Sequence, residues 1–304
     1  MILLGINYYL SDEHWKFLLC FMVAIPGKYM PLFVFIPLVL LKEKRYLYIV
    51  RDLVVGCALV VVDRGMNSIG YRIENFMGID KSLEVSGNDT MQLCFNNLLT
   101  SDFEVFNAPI SFVVAAFGIL CIWCFLQDSK KRNTLAAYVS FIAFSILFGF
   151  AGSAPYWVIL LVPFQLLLTM SASKYYSVLF PLEAVAMLAY IYIFTFETNW
   201  ILGSENTFSF LICSLIPGYN DKGHGYVADF FTQRGLNGYE GVMSAILVLS
   251  SLAIIALTNP LKKENEEEAE GGYQYIKGWY WARIGIVVGW ILLNIWIVML
   301  NHVN

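Results

Sequence analysis

Ala24-Ile25-Pro26-Gly27-Lys28-Tyr29-Met30-Pro31 interrupts an apolar run that extends from Trp15 to Leu41. The run is long enough to cross a bilayer, for which about 20 residues suffice, and Lys28 sits near its middle. An ammonium ion at that depth costs roughly 2.5–3.5 kcal/mol on insertion scales. The prolines and the glycine also free backbone groups that hydrocarbon cannot satisfy, so protein or trapped water must do so. A charge at a broken helix marks a candidate site within a membrane protein.

The rest of the chain supports that reading. Of its 304 residues 59% are apolar, 16% aromatic and only 14% charged, and the mean hydropathy is +0.65. A soluble chain of this size could not cover so much apolar surface, and the apolar residues fall in blocks. An all-α, polytopic integral membrane protein is expected, as a single helical domain over residues 1–304. No basic, aromatic-interleaved patch suggests nucleic acid. The net charge of −4 says little, because charge is partitioned by loop.

Eight spans are expected, at 15–41, 46–62, 109–127, 134–151, 155–171, 175–196, 239–258 and 278–300. Alternation then places 42–45, 128–133, 172–174 and 259–277 on one side. The short loops of that side, with boundary residue Arg51, carry Lys42, Lys44, Arg45, Lys130, Lys131, Arg132, Lys174, Lys262, Lys263 and Lys277. The opposite segments are far longer and carry Arg64, Arg72, Lys81, Lys222 and Arg234. This asymmetry makes the first side cytoplasmic and puts both termini outside, with the plasma membrane as the expected location. Residues 1–14 show no basic n-region and no small-residue cleavage site, so no signal peptide is expected there.

Two outer segments of about forty residues, 63–108 and 197–238, are too long for simple turns and suit function. Met91–Leu99 and Phe208–Ile216 inside them have a helical look. The stretch 262–272 reads as a charged, solvated linker. Cys121 and Cys124 have CxxC spacing but lie in a span without a nearby histidine, which suits packing. Cys94 and Cys213 fall in outer loops and would pair in an oxidising compartment.

Charges inside spans are the chemically informative residues. Glu183 lies about eight residues, or roughly 12 Å, from the inner end of its span. That depth is close to that of Lys28, so the two could form an ion pair, either as mutual satisfaction of stranded charges or as part of a polar cavity. Arg51 and Asp52 mark the inner interface. Asp63-Arg64 stands at the outer exit of its span, as an interfacial pair or as an arginine gripping a lipid phosphate. Residues 221–234, which include His224, Asp229 and Arg234, collect acid, base and cation in one loop. That loop suits hydration, or general acid–base work. Nucleotide-binding glycine loops, Gly-x-Ser-x-Gly, His-Glu-x-x-His and paired Cys-x-x-Cys frameworks are absent from the sequence. No cofactor or metal is evident from motifs. Asn88-Asp89-Thr90 is a glycosylation sequon on the outer side.

Residues 23–45, from Val23-Ala24-Ile25-Pro26-Gly27-Lys28 to Lys42-Glu43-Lys44-Arg45, resemble a segment of the polytopic GT-C membrane glycosyltransferases. A central span of that family reads as a Lys, an apolar run with Pro, and a basic inner turn. Ala154-Pro155-Tyr156-Trp157-Val158-Ile159-Leu160-Leu161-Val162-Pro163-Phe164 is similar to a later span of the same enzymes. The resemblance implies a polyprenyl-phosphate sugar donor from the membrane and an acceptor on the outer face. It makes Lys28, Arg64 and Arg234 candidates for the anionic donor, with Glu183 in the same cavity, and Asp12, Asp102 or Glu104 candidates for the base. The family's catalytic acid follows an N-terminal span. Only Asp12, Glu13 and His14 precede the first span here, so the resemblance implies a C-terminal part of such a fold or a shortened relative. Two other classes stay open: a transporter or flippase with a charged path at the membrane midplane, and a non-catalytic assembly subunit.

Overall fold

A computed structural model describes residues 1–27, 29–77, 104–105, 108–109, 111–150, 160–171, 175–197, 231–236, 238–261 and 272–303. Among them the structure is helical, apart from one short antiparallel pair, β1 (Glu104–Val105) with β2 (Ala108–Pro109). Packing divides the chain into two compact units, Met1–Ser153 and Ala154–Asn304, where a single domain was expected. The helical class expected from composition stands.

The first unit contains α1 (Ile2–Leu10), α2 (His14–Gly27), α3 (Met30–Lys42), α4 (Tyr46–Met77), α5 (Phe112–Leu126) and α6 (Arg132–Phe150). The expected span over 15–41 is overturned. One continuous helix from His14 to Lys42 would hold its ends roughly 40 Å apart at 1.5 Å per residue. Instead Lys42 Nζ donates to Asp12 Oδ1 at 2.8 Å, so α2 and α3 form a hairpin that reverses between Gly27 and Tyr29. Pro26 lies in the last turn of α2 and Pro31 in the first turn of α3, where its missing N–H costs nothing. Phe17 and Phe21 of α2 meet Phe35 of α3, with ring centroids 5.5 and 5.2 Å apart.

The reversal also corrects the side on which residues 11–14 lie. Asp12 holds Lys42 and, at 2.7 Å, Arg132, which begin or end elements on the basic face. The 11–13 turn therefore shares that face and is not opposite to it. Asp12 adopts φ 61°, a left-handed conformation that aspartate tolerates better than most residues. Its turn closes α1, with Glu13 N–H donating to Tyr8 O at 2.9 Å.

Helix ends on this face are tied by side chains. The C-terminal carbonyls of a helix lack partners within it, and Lys44 Nζ donates to Leu40 O of α3 at 2.7 Å and Cys124 O of α5 at 2.9 Å. Burial lowers the Lys44 pKa from its ordinary value. Ser111 caps α5 by accepting from Val114 N–H at 3.2 Å. The helix α4 runs to Met77, past the expected end at residue 62, so the first outer segment begins as helix. Met91–Leu99, Phe208–Ile216, Cys94, Cys213 and the linker over 262–271 lie outside the described residues.

The second unit contains α7 (Val162–Ser171), α8 (Tyr176–Glu197), α9 (Glu240–Leu257) and α10 (Gly272–Val303), with α8 packed against the other three. Thr195, Ser251 and Thr258 each donate to the carbonyl four residues earlier. Hydroxyls on apolar helices are thereby satisfied within their own helix. Two described helical segments, Ser129–Phe150 and Glu240–Leu257, are long and apolar enough to cross a membrane.

Two outcomes follow. In a cysteine-free background, Ser11→Cys and Glu43→Cys should label from the same side of sealed vesicles; labelling from opposite sides would refute the hairpin. A Cβ on Gly56 would lie 2.3 Å from the Phe35 ring, and Phe35 is fully buried. Gly56→Ala should therefore destabilise the first unit by about 1–3 kcal/mol through overpacking, with Phe35→Leu restoring much of the loss in thermal unfolding.

Candidate functional site

The second unit buries one carboxylate. Glu183 stands on α8 two residues after Pro181, which interrupts the ladder of backbone bonds in that helix, and it is only 5% exposed. A lone buried carboxylate is costly unless a counter-charge and hydrogen bonds compensate it. Both oxygens are engaged: Thr169 Oγ1 of α7 donates to Oε1, and Arg283 Nη2 of α10 pairs with Oε2. Thr169 is fully buried. The guanidinium also lies over the Phe180 ring, 5.1 Å from its centroid, an arrangement that favours the cation electrostatically.

Arg283 lines a cavity of about 400 Å³ between α7, α8, α9 and α10, together with Glu183, Gln165, Tyr190, Ser251 and Tyr280 among its polar residues. The remaining lining is aliphatic, including Leu161, Ala186, Met187, Leu247 and Ile254. A guanidinium carries five N–H donors in a planar fork, and among the described residues Glu183 is the one carboxylate that meets it. A second cavity of about 540 Å³ adjoins the neighbouring face of α8, lined by residues such as Leu188, Ile191, Met243, Ile246, Trp290 and Leu293. It is nearly all apolar. At its edge the Tyr192 hydroxyl donates to Leu236 O and accepts from Tyr239 N–H at 3.3 Å, while Phe231 stacks on Trp290.

The sequence-derived residues distribute as follows. The cation that Glu183 meets is Arg283, which the sequence reading passed over; Lys28 lies outside the described residues, as does Asp102. Arg64 falls on α4 and Glu104 on β1. Arg234 is exposed in the 231–236 segment. Asp12 is exposed on the basic face and held by Lys42 and Arg132, whose hydrogen bonds, that of Lys42 foremost, lower its pKa below the ordinary aspartate value. A carboxylate so engaged is a poor proton acceptor, and it stands on the face opposite to that assigned to an outer catalytic loop. The signal for Arg283 was present: it is a charge in the apolar stretch 278–300, matched in kind to Glu183 in 175–196. Cys124 is buried and Cys121 partly so, and neither is in a disulfide, in keeping with a packing role. Among the described residues no group of three or more His, Cys, Asp or Glu is placed to hold a metal.

Comparison with protein-family models, with curated proteins and with solved structures yields no match.

The coupling of the pair is measurable. Arg283→Met should destabilise the protein by about 3–5 kcal/mol, because it strands a buried carboxylate. Glu183→Leu combined with Arg283→Met should recover most of that loss. A double variant as unstable as the sum of the single ones would refute the pairing.

Proposed function

We propose that the chain is a polytopic membrane protein whose second unit binds an amphipathic ligand of the bilayer at the Glu183–Arg283 cavity. The observation that carries this reading is a charged pair opening onto about 400 Å³ of space among otherwise aliphatic helices. Pockets that bind small molecules are commonly of this size, mostly apolar, with few convergent polar groups. Charged residues inside membrane helices characteristically face such interiors. The apolar cavity on the next face of α8 offers room for a hydrocarbon chain, while the pair meets a polar head.

The membrane setting rests on surface chemistry. The outward side chains of the helices are large and apolar, with Ile119 69%, Leu126 74%, Leu249 63% and Leu292 58% exposed. A soluble surface rarely holds so much contiguous apolar area. In the proposed topology α4, α6, α8, α9 and α10, each roughly 27 Å or longer at 1.5 Å per residue, cross the bilayer. The arms of the α2–α3 hairpin, roughly 20 Å each, fall short of a hydrocarbon core of about 30 Å, so the hairpin enters and leaves from the basic, cytoplasmic face. The plasma membrane remains the location proposed for the chain.

Holding or moving an amphiphile, as a transporter or flippase does, asks nothing beyond this cavity. The glycosyltransferase reading rests on the resembling segments 23–45 and 154–164 and takes the amphiphile to be a polyprenyl-phosphate sugar. It further needs a base near the bound donor, and Asp12 is committed to Lys42 and Arg132 on the inner face.

Lipid extraction and mass spectrometry of the purified chain test the proposal. The wild type should retain an enriched amphiphile. Met187→Trp, which fills the cavity without touching the pair, should lose it at least several-fold while helix content by circular dichroism is unchanged. Identical lipid complements in wild type and variant would overturn the binding reading. Sugar incorporation by membranes carrying the chain would decide for transfer over transport.

A further inference from the structure

The basic face of the first unit gathers two arginines on one ring. Arg45 lies with Cζ 5.8 Å from the centroid of Tyr48, and Arg51 with Cζ 4.7 Å from the same centroid. Arg51 is also 5.7 Å from the Trp15 ring. Cation–π attraction offsets part of the repulsion between two cations so placed, but like charges held together call for anions between them. Arg51 has one: its Nε and Nη2 donate to Asp52 Oδ1 at 2.8 and 2.7 Å, and Nη2 lies 3.0 Å from His14 Nε2. Arg45 has none. Among the described residues no carboxylate is within ion-pair distance of it; Glu43 is not paired with it, and Lys44 is turned onto the Leu40 and Cys124 carbonyls.

The surroundings state what kind of anion fits. Trp15, against which Arg51 lies, is 60% exposed, and Tyr46 and Leu47, which follow Arg45 in the chain, are 75% and 85% exposed. Tyrosine and tryptophan in that setting sit at headgroup level in a bilayer. Guanidinium matches phosphate oxygens in a bidentate manner. We infer that Arg45 and Arg51, flanking Tyr48, form a phosphate-binding site whose occupant is the headgroup of an anionic phospholipid of the cytoplasmic leaflet. The phosphate takes the donors of Arg45 and the free edge of Arg51, and the apolar side chains of Leu47 and Trp15 lie along the acyl chains. This site is in the first unit and does not depend on the cavity of the second.

Native mass spectrometry of the full chain, titrated with short-chain phosphatidylglycerol or phosphatidylcholine, tests the inference. The wild type should bind the anionic lipid in preference to the zwitterionic one. Arg45→Gln should weaken the anionic lipid by about fivefold, as expected for one basic residue at an anionic surface, and Arg45→Lys should keep part of the preference. Arg45 is exposed and caps no network, so the variant is not expected to unfold; a matching circular dichroism melt verifies this. Phosphorus NMR with inorganic phosphate separates the sources. Line broadening by phosphate that Arg45→Gln removes, without any lipid preference, would uphold a phosphate site and overturn its assignment to lipid. Equal binding of the two lipids with no phosphate effect, or a preference unchanged in Arg45→Gln, would overturn the inference outright.

Discussion

In an apolar surrounding every backbone N–H and C=O must find a partner within the protein, because each one left bare costs several kcal/mol. The architecture of the first unit follows from where that rule is hardest to meet. Around Pro26, Gly27 and Pro31 the helical ladder cannot be continued without orphaned groups, and the chain turns back on itself. At the opposite ends of the same helices the last carbonyls of α3 and α5 would be bare, and Lys44 donates to one from each. The lysine thereby joins two helices through groups that neither can satisfy alone.

Charge obeys a related rule on this face. Asp12 meets two cations, Lys42 and Arg132, and Asp52 meets Arg51 with the His14 ring beside it. The partly exposed pairs of Asp12 contribute little stability on their own. Their value lies in position. Asp12 supplies both a left-handed turn at the end of α1 and an anchor for the end of α3 and the start of α6, so one residue fixes where three elements meet. The surplus of cations over carboxylates that remains is the part of the surface able to meet an anion from outside.

The second unit treats its charge differently. Glu183 is enclosed, and removing either partner would leave an ion in a medium that tolerates none. Buried pairs are seldom the most stable solution available, since well-packed apolar residues of similar volume often do as well. The placing of Glu183, Thr169 and Arg283 beside an open cavity is the feature on which the proposed ligand-binding role rests. The arrangement also explains why Arg283 is half-sheltered on the Phe180 ring: the ring screens one face of the guanidinium and leaves the other toward the cavity.

Much of this was legible in the residues themselves. Blocks of apolar sequence located α5, α6, α8 and α9 to within a few residues of their ends, because the polar residues that bound each block also end the helix, whereas α4 and α10 run on past their blocks. Glu183 was legible as a stranded carboxylate because it falls inside such a block. The composition could not tell a long span from a hairpin, since 15–41 is apolar in either case and only the distance between Asp12 and Lys42 separates them. Nor could it pair charges: Lys28 was matched to Glu183 by depth alone while Arg283 was passed over, and depth along a helix is one coordinate where pairing needs three. What the sequence determined by itself is the helical, apolar character of the chain and the places where that character is broken. What only the tertiary structure decided is which breaks reverse the chain and which charges meet, because those depend on how helices lie beside one another and not on any one of them.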